Sequence, residues 1–97
     1  MDLYLRKVGK DMYRVILKSE EDGDIELGSI SLTTFTSMNT RWTWGIDTVI
    51  PMRSHQQEGF GEDLADCKKQ FKAAWQKFAA DKSNEVEFIR TKLAARR

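Results

Sequence analysis

One cysteine, one histidine and one proline are all that the chain offers of three residue types that usually carry special chemistry or geometry. A single thiol excludes an intramolecular disulfide, and Cys67 reads as a small buried hydrophobe. The lone His55 has no second imidazole or thiolate at ligand spacing, so no metal site is expected. A nucleophilic triad would have to join His55, on a loop, with Ser54 or with Cys67 on another element, and no enzyme activity is expected. The single Pro51 makes no linker. Charge of one sign is lacking too: sixteen basic residues stand against fifteen acidic ones. A net charge of +1 gives no general attraction to nucleic acid or to an anionic membrane.

Long apolar runs are also missing, and none approaches the roughly 20 residues of a membrane-spanning helix. The opening Met-Asp-Leu-Tyr-Leu-Arg-Lys lacks a basic region followed by a long apolar one, so no signal peptide is expected and the cytoplasm is the expected compartment. Gly59-x-Gly61 has neither the third glycine nor the lysine of a phosphate loop, and Glu62 and Asp63 would repel an anion there. The acidic stretch Glu20-Glu21-Asp22-Gly23-Asp24 lacks the ligand spacing of a calcium loop. It reads as a hairpin tip, and no cofactor is expected.

What the chain does have is aromatic surface. Trp42, Trp44, Ile46, Thr48 and Ile50 recur at period two, so an extended strand puts them on one face. Downstream, Leu64, Cys67, Phe71, Ala74, Trp75 and Phe78 recur at helical spacing. Each stripe needs a cover, and the spacing predicts that the helix lies across the tryptophan face. Nucleobase stacking on Trp42 and Trp44 would require that face to be open.

The remaining elements follow from alternation and turn residues. Leu3 to Val8 reads as a short edge strand, Gly9-Lys10-Asp11 as a turn, and Met12 to Lys18 as a strand. In that strand Tyr13, Val15 and Leu17 face inward, and Met12, Arg14, Ile16 and Lys18 meet solvent. Ile25 and Leu27 share one parity while Ile30 and Leu32 share the other, which predicts a β-bulge at Gly28-Ser29. Thr33 to Thr40 reads as a polar connection carrying Phe35 and Met38, and residues 51–61 as an irregular loop holding Arg53, His55 and Phe60. The sequence thus predicts one α+β domain over 1–97: a three- or four-stranded antiparallel meander at about 3–50, a helix at about 62–80 across one face, and a shorter helix at about 84–95. Asn84 and Glu87 suggest a capping box for the second helix, whose stripe is Val86, Ile89 and Leu93.

The order of Met12-Tyr13-x-Val15, Leu27-Gly28-Ser29-Ile30, Trp42-Thr43-Trp44-Gly45-Ile46, the loop closing at Gly59, Ala65 and the run Phe71 to Phe78 resembles a group of small proteobacterial proteins. These are found especially in rhizobia-like bacteria and their phages. The resemblance covers Met12 to Phe78 and implies a fold without implying a reaction, because its motifs are core motifs. Asp66-Cys67 departs from the Glu-Ala pair commoner in that group.

Function is expected to lie in binding. A small protein-binding or adaptor module is the first expectation, with Phe35, Met38, Arg53, His55 and Phe60 as candidate contact residues, since apolar side chains on polar loops mark interfaces. Phe35, Met38 and Phe60 have the alternative of tucking against the core edge, the preferred reading for Phe60. Self-association through the second helix is a further expectation. The alternative is a nucleic-acid-binding regulator using the basic end of that helix, Arg90, Lys92, Arg96 and Arg97.

Overall fold

The structure, a computed structural model, describes residues 3–36, 39–52 and 55–95, the side chains of Phe35 and Thr36 excepted. Five strands precede two helices: β1 (Leu3–Gly9), β2 (Met12–Leu17), β3 (Ile25–Thr36), β4 (Asn39–Ile46), β5 (Glu58–Gly61), α1 (Leu64–Ala79) and α2 (Lys82–Ala94). The strands lie in the sheet in chain order and every neighbouring pair is antiparallel. The α+β class agrees with the sequence reading, but there are five strands where three or four were expected.

Short-range geometry builds the first three strands. Lys10 and Asp11 close the β1–β2 hairpin, with Asp11 in the left-handed region at φ 53°, which aspartate tolerates better than most residues. In the β2–β3 pairing Ile16 meets Glu26 and Val15 meets Gly28, so Leu27 is an extra residue in β3. That bulge turns Ile25, Leu27 and Ile30 to one face, all fully buried. It falls one residue before the position that the sequence suggested.

Two expected loops contain strand. Thr33 pairs with Arg41, Thr34 with Thr40 and Thr36 with Asn39, so β3 and β4 continue as a hairpin through most of the supposed connection. Threonine is β-branched and suits extended backbone. On the outer face the hydroxyls of Thr33 and Thr43 lie 3.1 Å apart, with Ser31 3.4 Å from Thr33. Met38 lies outside the described residues.

Strand β5 occupies the end of the expected 51–61 loop. Its sequence, Glu-Gly-Phe-Gly, carries no alternating apolar signal. Its register explains it: Gly59 pairs with Trp44 and Gly61 with Trp42. A Cβ on Gly59 would sit 2.8 Å from Trp44 Nε1, and one on Gly61 would sit 2.6 Å from Cys67 Sγ. Absence of side chains on β5 therefore gives room for the indole and for the first turns of α1.

Helix α1 buries Cys67, Phe71, Ala74, Trp75 and Phe78 against the sheet, as the two stripes required. Trp44 meets Phe71 edge-on at 5.8 Å. Asp63 caps the helix by accepting from the Asp66 N–H at 2.8 Å, while Asp66 accepts from the Glu62 N–H at 2.9 Å. The bond from the Glu62 N–H, with help from the Gln70 amide and the Lys69 charge, holds the Asp66 carboxyl below its ordinary value.

Helix α2 departs from expectation at its cap and in its stripe. Asp81, not Asn84, is the N-cap and accepts from the Ser83 N–H at 3.0 Å. Asn84 instead donates to the Phe78 carbonyl at 3.0 Å, satisfying an end of α1. The anchor of α2 is Phe88, fully buried and 5.1 Å from the Trp75 ring. Ile89 and Leu93 pack beside it, whereas Val86 is 42% exposed.

Ile16 is the other departure. Alternation puts it on the outer face, yet its exposure is 0%. Pairing sets it between Tyr4 and Glu26, and their neighbours form a charged net: the Tyr4 hydroxyl donates to Asp24, Arg6 lies 3.8 Å from Asp24, and Arg14 lies 3.5 Å from Glu26. The apolar parts of these long side chains roof the isoleucine.

Two outcomes follow. Phe88→Ala lowers unfolding free energy by about 3–5 kcal/mol in urea titration, whereas Val86→Ala stays within about 0.5 kcal/mol. Asp66 and Asp81 both have carboxyl values depressed by cap hydrogen bonds, so their contribution is present above the unfolded-state value of 3.8 and is lost as pH falls through the lower folded value. Thermal melting followed by circular dichroism therefore shows a decline below about pH 4, and that decline is shallower in the Asp66→Asn/Asp81→Asn double variant.

Candidate functional site

Two helices cannot cover five strands evenly. A helix is about 10 Å across and strands lie about 4.8 Å apart, so each helix shields about two strands. Here α1 packs on β4, β5 and β3, and α2 packs on β3 and against α1. Val15 and Leu17 of β2 are buried, but the inner face of β1 is left beside α1 without a helix of its own. An open groove of about 610 Å³ results.

The floor and walls of the groove are specific. Leu3 and Leu5 on β1 are half-buried, and Val15 and Ile30 form the deeper floor, with Phe71 at the foot of α1. Leu5 pairs with Val15, so the two share this face. The α1 rim is Lys68, Lys69 and Lys72, all exposed. Lys68 and Lys72 are four residues apart, a spacing at which like charges repel. Neither forms an ion pair among the described residues. Asp66, one turn before Lys69, accepts hydrogen bonds from the Glu62 N–H and the Gln70 amide. Among the described residues, no acidic side chain lines the groove beside these three cations, although the Asp66 carboxylate lies close enough to Lys69 to feel its charge.

Strand β1 is also an edge of the sheet, and half of an edge strand's backbone N–H and C=O groups point away from its neighbour. Edges are commonly blunted by charge and by bulges. On β1 both devices fall in the second half: Arg6, Lys7 and a register shift that leaves Val8 unpaired. Among the described residues, the Leu3–Leu5 half, beside the groove, has neither.

The residues singled out from sequence do not converge. Phe60 does not tuck inward: it is 54% exposed on β5 with the Arg41 guanidinium 5.4 Å over its ring. His55 is half-buried, edge-on to Phe78 at 5.3 Å. Cys67 touches the β5 seat, eleven residues earlier in α1, which is about 16 Å along a helix axis. His55 and the thiol therefore stand at opposite ends of α1 and make no catalytic pair. Burial raises the Cys67 thiol, with Asp66 and Asp63 adding to the effect. Phe35 lies on β3 without a described side chain, and Arg53, Ser54 and Arg96 lie outside the described residues.

Of the basic end of α2, Arg90 is exposed but Lys92 is engaged. Its ammonium lies 2.5 Å from Asp47 Oδ2, which Arg14 also approaches at 2.6 Å. Asp47 follows β4, so this carboxylate ties α2 to β2 and β4 at once. Lys92 is only 17% exposed and also faces the Phe88 ring at 5.9 Å. It serves the fold.

The sequence reading missed the groove. Its signal was present: Lys68 and Lys72 at an unfavourable spacing, and an apolar edge strand whose cover was not assigned. Among the described residues, no group of three or more His, Cys, Asp and Glu could hold a metal ion, and no helix is long and apolar enough to cross a membrane. Comparisons with family models, with curated proteins and with solved structures each return no match.

Lys92→Ala lowers stability by about 1–2 kcal/mol, because Asp47 loses one of two charged partners in a partly buried setting. Arg90→Ala stays within about 0.5 kcal/mol. Urea unfolding of both variants, monitored by tryptophan fluorescence, gives the comparison.

Proposed function

We propose that this protein is a small, non-catalytic protein-binding module, and that its docking site is the groove between β1 and α1. The observation that carries this reading is the pairing of an apolar floor with a rim of three lysines, in a groove that no described acidic side chain lines. Lysine stems can extend the apolar wall while their ammonium groups meet a partner's carboxylates. Buried contacts of this kind at the centre of a small interface, with charge at its rim, suit a specific and reversible partner. The free, buried Cys67 thiol fits our placing of the module in the cytoplasm.

The alternative, nucleic-acid binding through the C-terminal helix, is weakened by Lys92, whose charge is committed to Asp47. Self-association through α2 loses its main motive too, because Phe88, Ile89 and Leu93 pack on this chain's own core. The groove remains as the apolar surface with least internal explanation.

The reading is tested by capture from native extract at low salt, with and without nuclease. A partner bound near stoichiometry by the wild type is lost with Lys69→Glu/Lys72→Glu and retained with Arg90→Ala, all three chains having equal circular dichroism. Capture that survives the lysine reversals, or that requires intact nucleic acid, refutes the groove as the docking site.

A further inference from the structure

Resting on that reading, we infer that the groove takes an extended acidic segment of the partner, which adds to the Leu3–Leu5 half of β1 as a sixth strand. Three observations meet there. Among the described residues this half-strand carries neither the charge nor the bulge that blunts the rest of the edge, so a second chain can approach and form a ladder. Successive side chains of an added strand alternate between faces, so every second one enters the groove toward Leu5, Val15 and Phe71. Lys68, Lys69 and Lys72 then lie over the incoming strand, where acidic side chains meet them.

Charge selects among occupants. A second copy of this chain entering by its own β1 would pair by two-fold symmetry, which puts the same patch on both sides. Its Lys68, Lys69 and Lys72 would face these three directly, and like charges there oppose assembly. A basic segment is rejected for the same reason. Tyr4 supports the pre-formed edge: its hydroxyl is fixed on Asp24, and Asp24 is in turn near Arg6. The half-strand therefore needs little ordering on binding, which lowers the cost of association.

The test uses the full chain and a capped hexapeptide, Thr-Val-Thr-Glu-Thr-Glu, whose valine and two glutamates share one face of a strand, with three controls: the counterpart with lysine in place of glutamate, the glutamate peptide N-methylated at alternate residues, and oligothymidylate. Amide chemical shifts and hydrogen exchange are followed by nuclear magnetic resonance. The glutamate peptide binds and slows exchange of outward β1 amides. The N-methylated peptide binds at least about tenfold more weakly, since it cannot complete the ladder. The lysine peptide binds only the Lys69→Glu/Lys72→Glu variant. Binding of the glutamate peptide without protection of β1 overturns strand addition while leaving the groove as a docking site. Binding of neither peptide, equal binding of both, or displacement by oligothymidylate overturns the acidic-strand inference altogether. The capture experiment reads the docking site independently, so failure of one is distinguishable from failure of the other.

Discussion

Trp44 is held twice by α1. Its ring meets Phe71 edge-on, and its Nε1–H donates to Gln70 Oε1 at 2.9 Å, so the apolar stripe and its polar shoulder fix the same side chain. A buried indole needs both, because its one donor is costly to leave unpaired. Gln70 passes the constraint on by donating to Asp66 at 3.1 Å, and Asp66 in turn holds the start of the helix. The glycine seat of β5, the position of α1 and the place left for α2 all follow from where this indole sits.

The position of α1 over the later strands also decides what is left open. With both helices drawn to the β3–β5 side, the β1–β2 hairpin supplies a sheet face that the chain itself covers incompletely. On the other side of the sheet the same hairpin is covered without a helix, by long charged side chains over Ile16. One hairpin thus shows two solutions to apolar surface: an ionic roof outside, and an apolar groove with a lysine rim inside. Asp47 joins the two sides, since it receives Arg14 from the outer face and Lys92 from the helix layer.

Much of this fold was legible because period two and period 3.6 stripes announce mutual burial. Trp42 and Trp44 implied a cover, Phe71, Trp75 and Phe78 supplied it, and the parity switch between Leu27 and Ile30 revealed the bulge. Pattern failed where structure depends on a partner element. Gly59 and Gly61 form a strand because of what lies on them, which their own side chains cannot encode. Ile16 is buried by charged residues that alternation assigns to solvent. Phe88 was hidden because Val86 gave an equally regular stripe with Ile89 and Leu93, and only the position of Trp75 chooses between them. The groove escaped for a related reason: a gap is a property of two elements, and neither β1 nor α1 contains it alone.

The floor of the groove comes from the first hairpin of the chain, and its rim comes from the first half of α1. These segments are remote in sequence and meet only when the meander has closed and α1 has docked. The site is therefore a reporter of the cooperative native state, absent from any species in which α1 has come away. An occupant touching both walls would bind the native ensemble and not the opened one. By linkage it would raise the free energy of detaching α1 by RT ln(1 + [L]/Kd), so that occupancy and the integrity of the helix–sheet union rise and fall together.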